Sequence, residues 1–305
     1  MSKDWLESYI KAGKAVASAK RLAREITKPG VLLIDIANKC EEKILNEGCE
    51  LSFPTNISLN EVAAHYSPPI DDPTIVPNQG LLKIDIGAHY DGYIADSAIT
   101  INIDNDTTLQ IFIDAAINGL EAAIQIFKPG VKLYELGEAI ANNIINFGLK
   151  PIRNLGGHEL KQYELHAGPF IPNYKDITHK QVLNPGDAYA CEPFTTSGDG
   201  WVVNGKKSYI YRFIKKVKKN MPYEELNYMN KIDSLTKKLP FSPRLLEYHD
   251  IIPKNKIQKI IDIFLRKQIL THYPILIEQT GAPVAQEEHT IVIDTDGTSI
   301  VTTRE

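Results

Sequence analysis

Residues 28–49 recur at 128–149, and this duplication restricts the fold more than any other feature of the chain. Both stretches open Lys-Pro-Gly-Val. At a constant offset of 100 residues Leu33 matches Leu133, Ile44 matches Ile144, Asn46 matches Asn146 and Gly48 matches Gly148. Each copy reads as a Pro-Gly turn, an amphipathic helix and a terminating glycine near the C-cap. A further helical pattern precedes each copy, at 4–26 and 107–127. The register continues past the helices, with His65 in the stretch Phe53–Pro68 and His166 in the stretch Asn154–Pro169. Two apolar strand patterns then follow a glycine and end in a carboxylate, Gly80 to Asp85 and Gly186 to Glu192. Two copies cannot build a solenoid, so a repeat this long is a duplicated half-domain. The expected architecture is α+β, two related halves that each place helices on one side of an antiparallel sheet. A site is expected where their carboxylate strands converge.

The charge distribution adds a second element of organisation. The 305 residues carry a net charge of −4, yet residues 206–275 hold 16 Lys/Arg against 6 Asp/Glu, a net of +10. The remainder holds 18 basic against 32 acidic residues, or −14. The basic stretch shows helical patterning around 222–237 and 253–269, with Pro240, Pro243 and Pro253 as breakers. The second half resumes near Gln279, with a strand expected from Ala285 to Asp294. The basic stretch therefore reads as an insertion, and the expected domains are 1–200 with 276–305, and 201–275. No run of 18 apolar residues suggests a membrane span, and the N-terminus lacks an apolar signal core. Three cysteines without a Cys-x-x-Cys pair suit a reducing cytoplasm better than a disulfide framework.

The chemistry-bearing residues fall in apolar surroundings. Residues 83–96 pattern as a hairpin turning at Asp91-Gly92, with Asp85 and Asp96 among apolar neighbours. Buried aspartates are costly unless paired, and a cation is the natural partner of converging carboxylates. His158 follows Gly156-Gly157, where a backbone could approach closely. Glu192 ends its strand, and Glu287 and Glu288 stand within Ala285–Val292. Strand alternation lets only one of Glu287 and Glu288 face the site, and the pattern does not choose. Singly, each of these reads as an ordinary structural residue. Together, four carboxylates and one imidazole make an oxygen-rich set with too much charge for one divalent ion, suited to a pair of Mn, Fe or Co-type ions.

These residues sit in specific motifs: Phe53-Pro54-Thr55-Asn56, Ala63-Ala64-His65-Tyr66, Lys83-Ile84-Asp85, Ile94-Ala95-Asp96, Asn154-Leu155-Gly156-Gly157-His158, Leu165-His166-Ala167-Gly168, Tyr189-Ala190-Cys191-Glu192 and Ala285-Gln286-Glu287-Glu288-His289-Thr290. The sequence resembles the type 2 methionine aminopeptidases, in the form without a long charged N-terminal extension that is characteristic of archaea. The resemblance implies the pita-bread fold with a helical, winged-helix-like insert, and two divalent ions (cobalt, manganese or iron, with zinc as the remaining candidate). It implies Asp85, Asp96, His158, Glu192 and Glu288 as ligands, Asp96 and Glu288 bridging. The implied nucleophile is a hydroxide formed from a metal-bridging water, whose released proton Glu192 would accept and relay. His65 and His166 would contact substrate outside the metal shell, and Phe53 and Leu165 would line the methionine pocket. Glu287 stands where the family has Phe, and its expected position is the opposite strand face, tolerant of substitution.

The function so implied is removal of the initiator methionine from nascent chains, with a small second residue preferred, by a cytoplasmic monomer with no membrane contact. Two other readings share the fold. Prolidase-like dipeptidases use the same five ligands but usually carry an extra N-terminal domain and lack this insert. Non-catalytic binding relatives have lost ligands that this chain keeps. The basic insert, and within it Lys215, Lys216, Lys218 and Lys219, is also a candidate for weak ribosome or RNA contact.

Overall fold

The computed structural model describes residues 5–214 and 221–305; Lys215, Lys216, Lys218 and Lys219 lie outside the described residues. The first half comprises α1 (Trp5–Ile26), α2 (Leu33–Asn46), β1 (Glu50–Leu51), β2 (Asn56–Leu59), β3 (Val62–Ala64), β4 (Leu81–Tyr90) and β5 (Tyr93–Asn102). The second comprises α3 (Thr107–Ile126), α4 (Leu133–Ile145), β6 (Lys150–Pro151), β7 (Gly156–Glu159), β8 (Phe170–Pro172), β9 (Ala188–Cys191) and β10 (Phe194–Thr196). After β11 (Val202–Phe213), α5 (Tyr223–Thr236), α6 (Pro243–Tyr248), α7 (Lys254–Arg266) and β12 (Leu270–Glu278), it closes with β13 (Val284–Gln286), β14 (His289–Ile293) and β15 (Ser299–Val301).

The repeat is visible atom by atom. The Gly30 N–H donates to the Val76 carbonyl at 2.9 Å, and the Gly130 N–H donates to that of Leu183 at 2.8 Å. Both turns lead into helices that begin 100 residues apart, at Leu33 and Leu133. Each helix pair covers one antiparallel sheet. In the first half α1 and α2 bury Val16, Ile36 and Ile44 against Ile84, Ile86 and Ile99 of β4 and β5. In the second, Leu120, Leu136 and Ile140 of α3 and α4 pack on Tyr189, Cys191 and Ile291 of β9 and β14. Helix α3 is long and apolar enough to cross a membrane by composition, but its buried face is part of this core. The β4–β5 hairpin turns at Asp91-Gly92, both at positive φ, as two-residue hairpins prefer.

Three local expectations are corrected. Asp85 does not end its strand, because β4 continues to Tyr90 as the long partner of β5. The expected strand from Ala285 to Asp294 is two strands: β13 pairs with β10, β14 pairs with β9, and Glu287 and Glu288 occupy the passage between them. The same passage occurs between β9 and β10, at Glu192-Pro193, where proline supplies no N–H for a ladder. Finally, Pro243 starts a helix instead of breaking one; it is the first residue of α6, where its missing N–H costs nothing.

The insert has its own core of Phe213, Met229, Ile232, Phe241, Ile261 and Phe264. It is no loose appendage, because the β11–β12 ribbon pairs through β12 with β3 of the first half. Strand β12 runs across the 275/276 boundary expected from sequence.

Candidate metal centre

Asp85 and Asp96 lie on the paired strands β4 and β5, where Asp85 faces Ala98 and Gly87 faces Asp96. Positions 85 and 87 are two apart on one strand, so both aspartates share a face, opposite the one that packs on α1 and α2. Gly87 is needed there. A Cβ at this position would stand 2.1 Å from the Phe53 ring, which fills the space above the strand.

His158 enters from β7. A Cβ on Gly157 would stand 2.2 Å from the Ala190 carbonyl, so only glycine lets β7 approach β9 this closely and bring His158 over the carboxylates. Its Nε2 lies 3.6 Å from Asp96 Oδ2 and 3.7 Å from Glu192 Oε1. Asp96, His158 and Glu288 place ligand-type atoms within 4.8 Å of one another. Asp85 and Asp96 approach within hydrogen-bonding range, and Asn56 Nδ2 donates to Asp85 Oδ2 at 3.4 Å. Gln286 Nε2 donates to Glu192 Oε2 at 3.2 Å and to Glu288 Oε2 at 3.5 Å. The backbone around the cluster is braced. The Thr290 hydroxyl donates to the Asp96 carbonyl at 2.8 Å and accepts the Asp96 N–H at 2.7 Å, and the Ser97 hydroxyl donates to the Glu288 carbonyl.

Burial pushes the Asp85 carboxyl up to about 7. Burial, followed by the charge of Asp85, raises Asp96 and Glu192 well above the usual carboxylate range. Glu288 is raised by burial and by the charge of Asp96. Burial also lowers His158 to about 4, so no local imidazolium neutralises the cluster. Among the described residues, Asp85 Oδ1 and Asp96 Oδ1 are buried with no hydrogen-bond partner. An oxygen-rich cluster short of positive charge, with orphaned carboxylate oxygens, fits divalent cations.

One cavity of about 220 Å³ contains all nine residues singled out in the sequence: Phe53, His65, Asp85, Asp96, His158, Leu165, His166, Glu192 and Glu288. His65 holds the Pro274 carbonyl through Nδ1 at 3.1 Å, which requires that nitrogen to carry the proton and leaves Nε2 unprotonated in the neutral ring. The His158 and His166 rings lie 4.3 Å apart. His166 opens to the cavity, yet surrounding protein and the neighbouring imidazole hold its protonated form down. Glu287 lies on the other side of the chain. Its Oε1 accepts the Thr100 N–H at 3.0 Å, and the charges of Arg24 and Lys20 act on it.

Sequence reasoning missed Gln286, the cavity residues Phe170 and Phe194, and three residues of the insert. Gln286 stood inside a quoted motif and could have been found there. Ile210, Pro240 and Tyr273 wall the cavity, and all three come from the insert, which the sequence presented as an inserted basic subdomain with no part in the site.

Comparison with known proteins agrees with this geometry. Residues 7–228 match metallopeptidase family M24. The methionine aminopeptidase of Pyrococcus horikoshii is 38% identical over 297 residues, 97% of this chain and 99% of that protein. The solved structure of a thermophilic Arx1 superposes with a TM-score of 0.86 at 17% identity, covering 100% of this chain and 92% of that one. The methionine aminopeptidase of Thermotoga maritima superposes with a TM-score of 0.72 at 23% identity, covering 100% and 98%. The two solved structures share the pita-bread architecture, and the archaeal relative aligns from end to end. The chain belongs to metallopeptidase family M24, among its methionine aminopeptidases.

Proposed function

We propose that this chain removes the N-terminal methionine of nascent polypeptides, with divalent ions held by Asp85, Asp96, His158, Glu192 and Glu288. The single observation that carries the reading is the position of this charge-deficient cluster in a small cavity that also holds apolar side chains. When bound, the metal supplies Lewis acidity and an acidified water. Everything else is assigned to the chain's own groups. Phe53 and Leu165 enclose the methionine side chain, and the small cavity excludes a longer N-terminal extension. Glu192, whose raised proton affinity comes from burial and Asp85, takes a proton at its carboxylate and returns it to the departing amine. His166 donates to the scissile carbonyl. His65, its Nδ1 committed to the Pro274 carbonyl, presents Nε2 to the neighbouring substrate backbone.

The division into a catalytic body (1–200 with 276–305) and an inserted subdomain (201–275) belongs to this reading, as does a cytoplasmic location. Cys40, Cys49 and Cys191 are free and buried, which suits a reducing compartment. The insert is also the surface that would meet ribosomal RNA. One charge is neutralised by the body, because Lys254 pairs with Asp71, whereas Lys256 and Lys267 pair with Glu224 and Glu225 of the insert itself, which the net of +10 already includes. Weak, salt-sensitive association is therefore the expected strength.

The test is a peptide assay on metal-stripped protein with one metal restored at a time. Met-Ala-x should be cleaved and Ala-Ala-x left intact. Cleavage of x-Pro in preference to Met-Ala-x would replace this reading with the prolidase-like one.

A further inference from the structure

A second cavity, of about 980 Å³, adjoins the first and shares Leu165, His166, Pro240 and Tyr273 with it. It is also lined by Arg212, Lys237, Lys238 and Asp233 of the insert and by Glu164 of the body. These cations are not equivalent. Lys237 is engaged, with its Nζ 3.5 Å from Glu50 Oε2 and donating to the Tyr163 hydroxyl at 3.1 Å. Among the described residues the Arg212 guanidinium has no carboxylate partner; it lies 5.9 Å from the centre of the Tyr273 ring. Tyr273 in turn stacks beside His166, with ring centres 6.1 Å apart. His166, Tyr273 and Arg212 thus form a line leading out of the first cavity into the second. Two steps of that size span at most about four extended residues, at roughly 3.3 Å each.

We propose that this groove receives the part of the substrate chain that follows the scissile bond, and that Arg212 selects a carboxylate on the third or fourth residue of the peptide. This rests on the aminopeptidase reading above. The shared wall of His166 and Tyr273 makes the groove the continuation of the first cavity, and so a path for the chain beyond the scissile bond. Guanidinium is the side chain best matched to a carboxylate, through two parallel N–H donors, and Arg212 has both edges uncommitted among the described residues. A carboxylate there can come from Asp or Glu side chains or from the C-terminus of a short peptide.

The test uses the full-length, metal-loaded enzyme and Met-Ala peptides carrying Glu, Gln or Lys at the third or fourth residue, each as C-terminal amide and as free acid. At low salt kcat/KM should be about three- to fivefold higher for Glu than for Lys, the size of a partly exposed ion pair. The difference should shrink as salt rises. Arg212→Gln should flatten the preference and Arg212→Glu should reverse it. A preference that persists in the amides assigns the side-chain carboxylate, and one confined to the free acids assigns the C-terminus. Cleavage of all these peptides with the same Glu-to-Lys ratio in wild type and both variants overturns the subsite alone. Failure of the wild type to cleave any Met-Ala peptide overturns the aminopeptidase reading, and the subsite with it.

Discussion

Glu287 and Glu288 are adjacent and chemically identical, yet they belong to different parts of the molecule. Glu288 faces the carboxylate cluster, whereas Glu287 holds the Thr100 N–H and shares surroundings with the buried Lys20. Glu288→Gln should release metal and activity together. Glu287→Phe should keep metal content and KM but cost about 1–3 kcal/mol of stability, because it strands a buried N–H. That cost revises the tolerance expected from sequence alone. Metal analysis and denaturant unfolding of the two variants decide the matter, and metal loss in the Phe variant would show that the two roles are reversed. Asp85→Asn and Asp96→Asn should each lower turnover at least about a hundredfold in folded protein with altered metal content. His166→Ala should lower kcat by about 10²–10³, in the range of a lost transition-state donor, with metal content unchanged.

At the level of elements, the insert is fixed to the body by a buried pair. Arg244 of α6 donates to both oxygens of Glu41 on α2, at 2.8 and 2.7 Å, and to the carbonyl of Pro68 at 2.8 Å. Glu41 also accepts the Thr55 N–H at 2.9 Å, next to Asn56, which reaches Asp85. Arg244→Met should cost about 3–5 kcal/mol, since it leaves a buried carboxylate without its counter-charge. The double variant Arg244→Met, Glu41→Leu should recover most but not all of that loss, the remainder belonging to the Thr55 N–H. Chemical denaturation of the single and double variants measures both terms. A single variant as stable as wild type would mean that the β11–β12 ribbon docks the insert unaided.

The whole molecule concentrates its electrostatic cost at the centre. Asp85, Asp96, Glu192 and Glu288 all have folded proton affinities raised by burial, and His158 has one lowered by it. For a raised carboxylate the folded state binds more protons, so stability is present at low pH and is lost as pH rises through the folded value. For a lowered histidine the sign is opposite, and stability grows between about 4 and the unfolded value near 6.5. The two trends oppose each other below about 6.5, and above it the histidine is neutral in both states. The share of Asp85 in that loss falls between its unfolded value near 4 and its folded value of about 7, and four carboxylates outnumber one histidine, so metal-free protein should lose stability as pH climbs towards about 7. Metal-loaded protein should not. Thermal unfolding across about pH 4–8, with and without chelator, checks this. Equal pH profiles would show that no cation compensates the cluster.

The sequence by itself determined the duplicated halves, their helix starts at Leu33 and Leu133 and the hairpin at Asp91-Gly92, and its resemblance to a known family named nine residues that share one cavity. Those are legible because turn glycines, helix periodicity and motif residues act over short stretches of chain. Only the tertiary structure decided that Glu192 and Glu288 stand where strands pass from one sheet to the next, since pairing partners far along the chain end β9 and β13 there. It also decided that Ile210, Pro240 and Tyr273 wall the cavity. No local pattern carries that information. It arises when β12 pairs with β3 and the buried Arg244–Glu41 contact draws the insert against the body, long-range contacts whose energy depends on residues more than 200 positions apart.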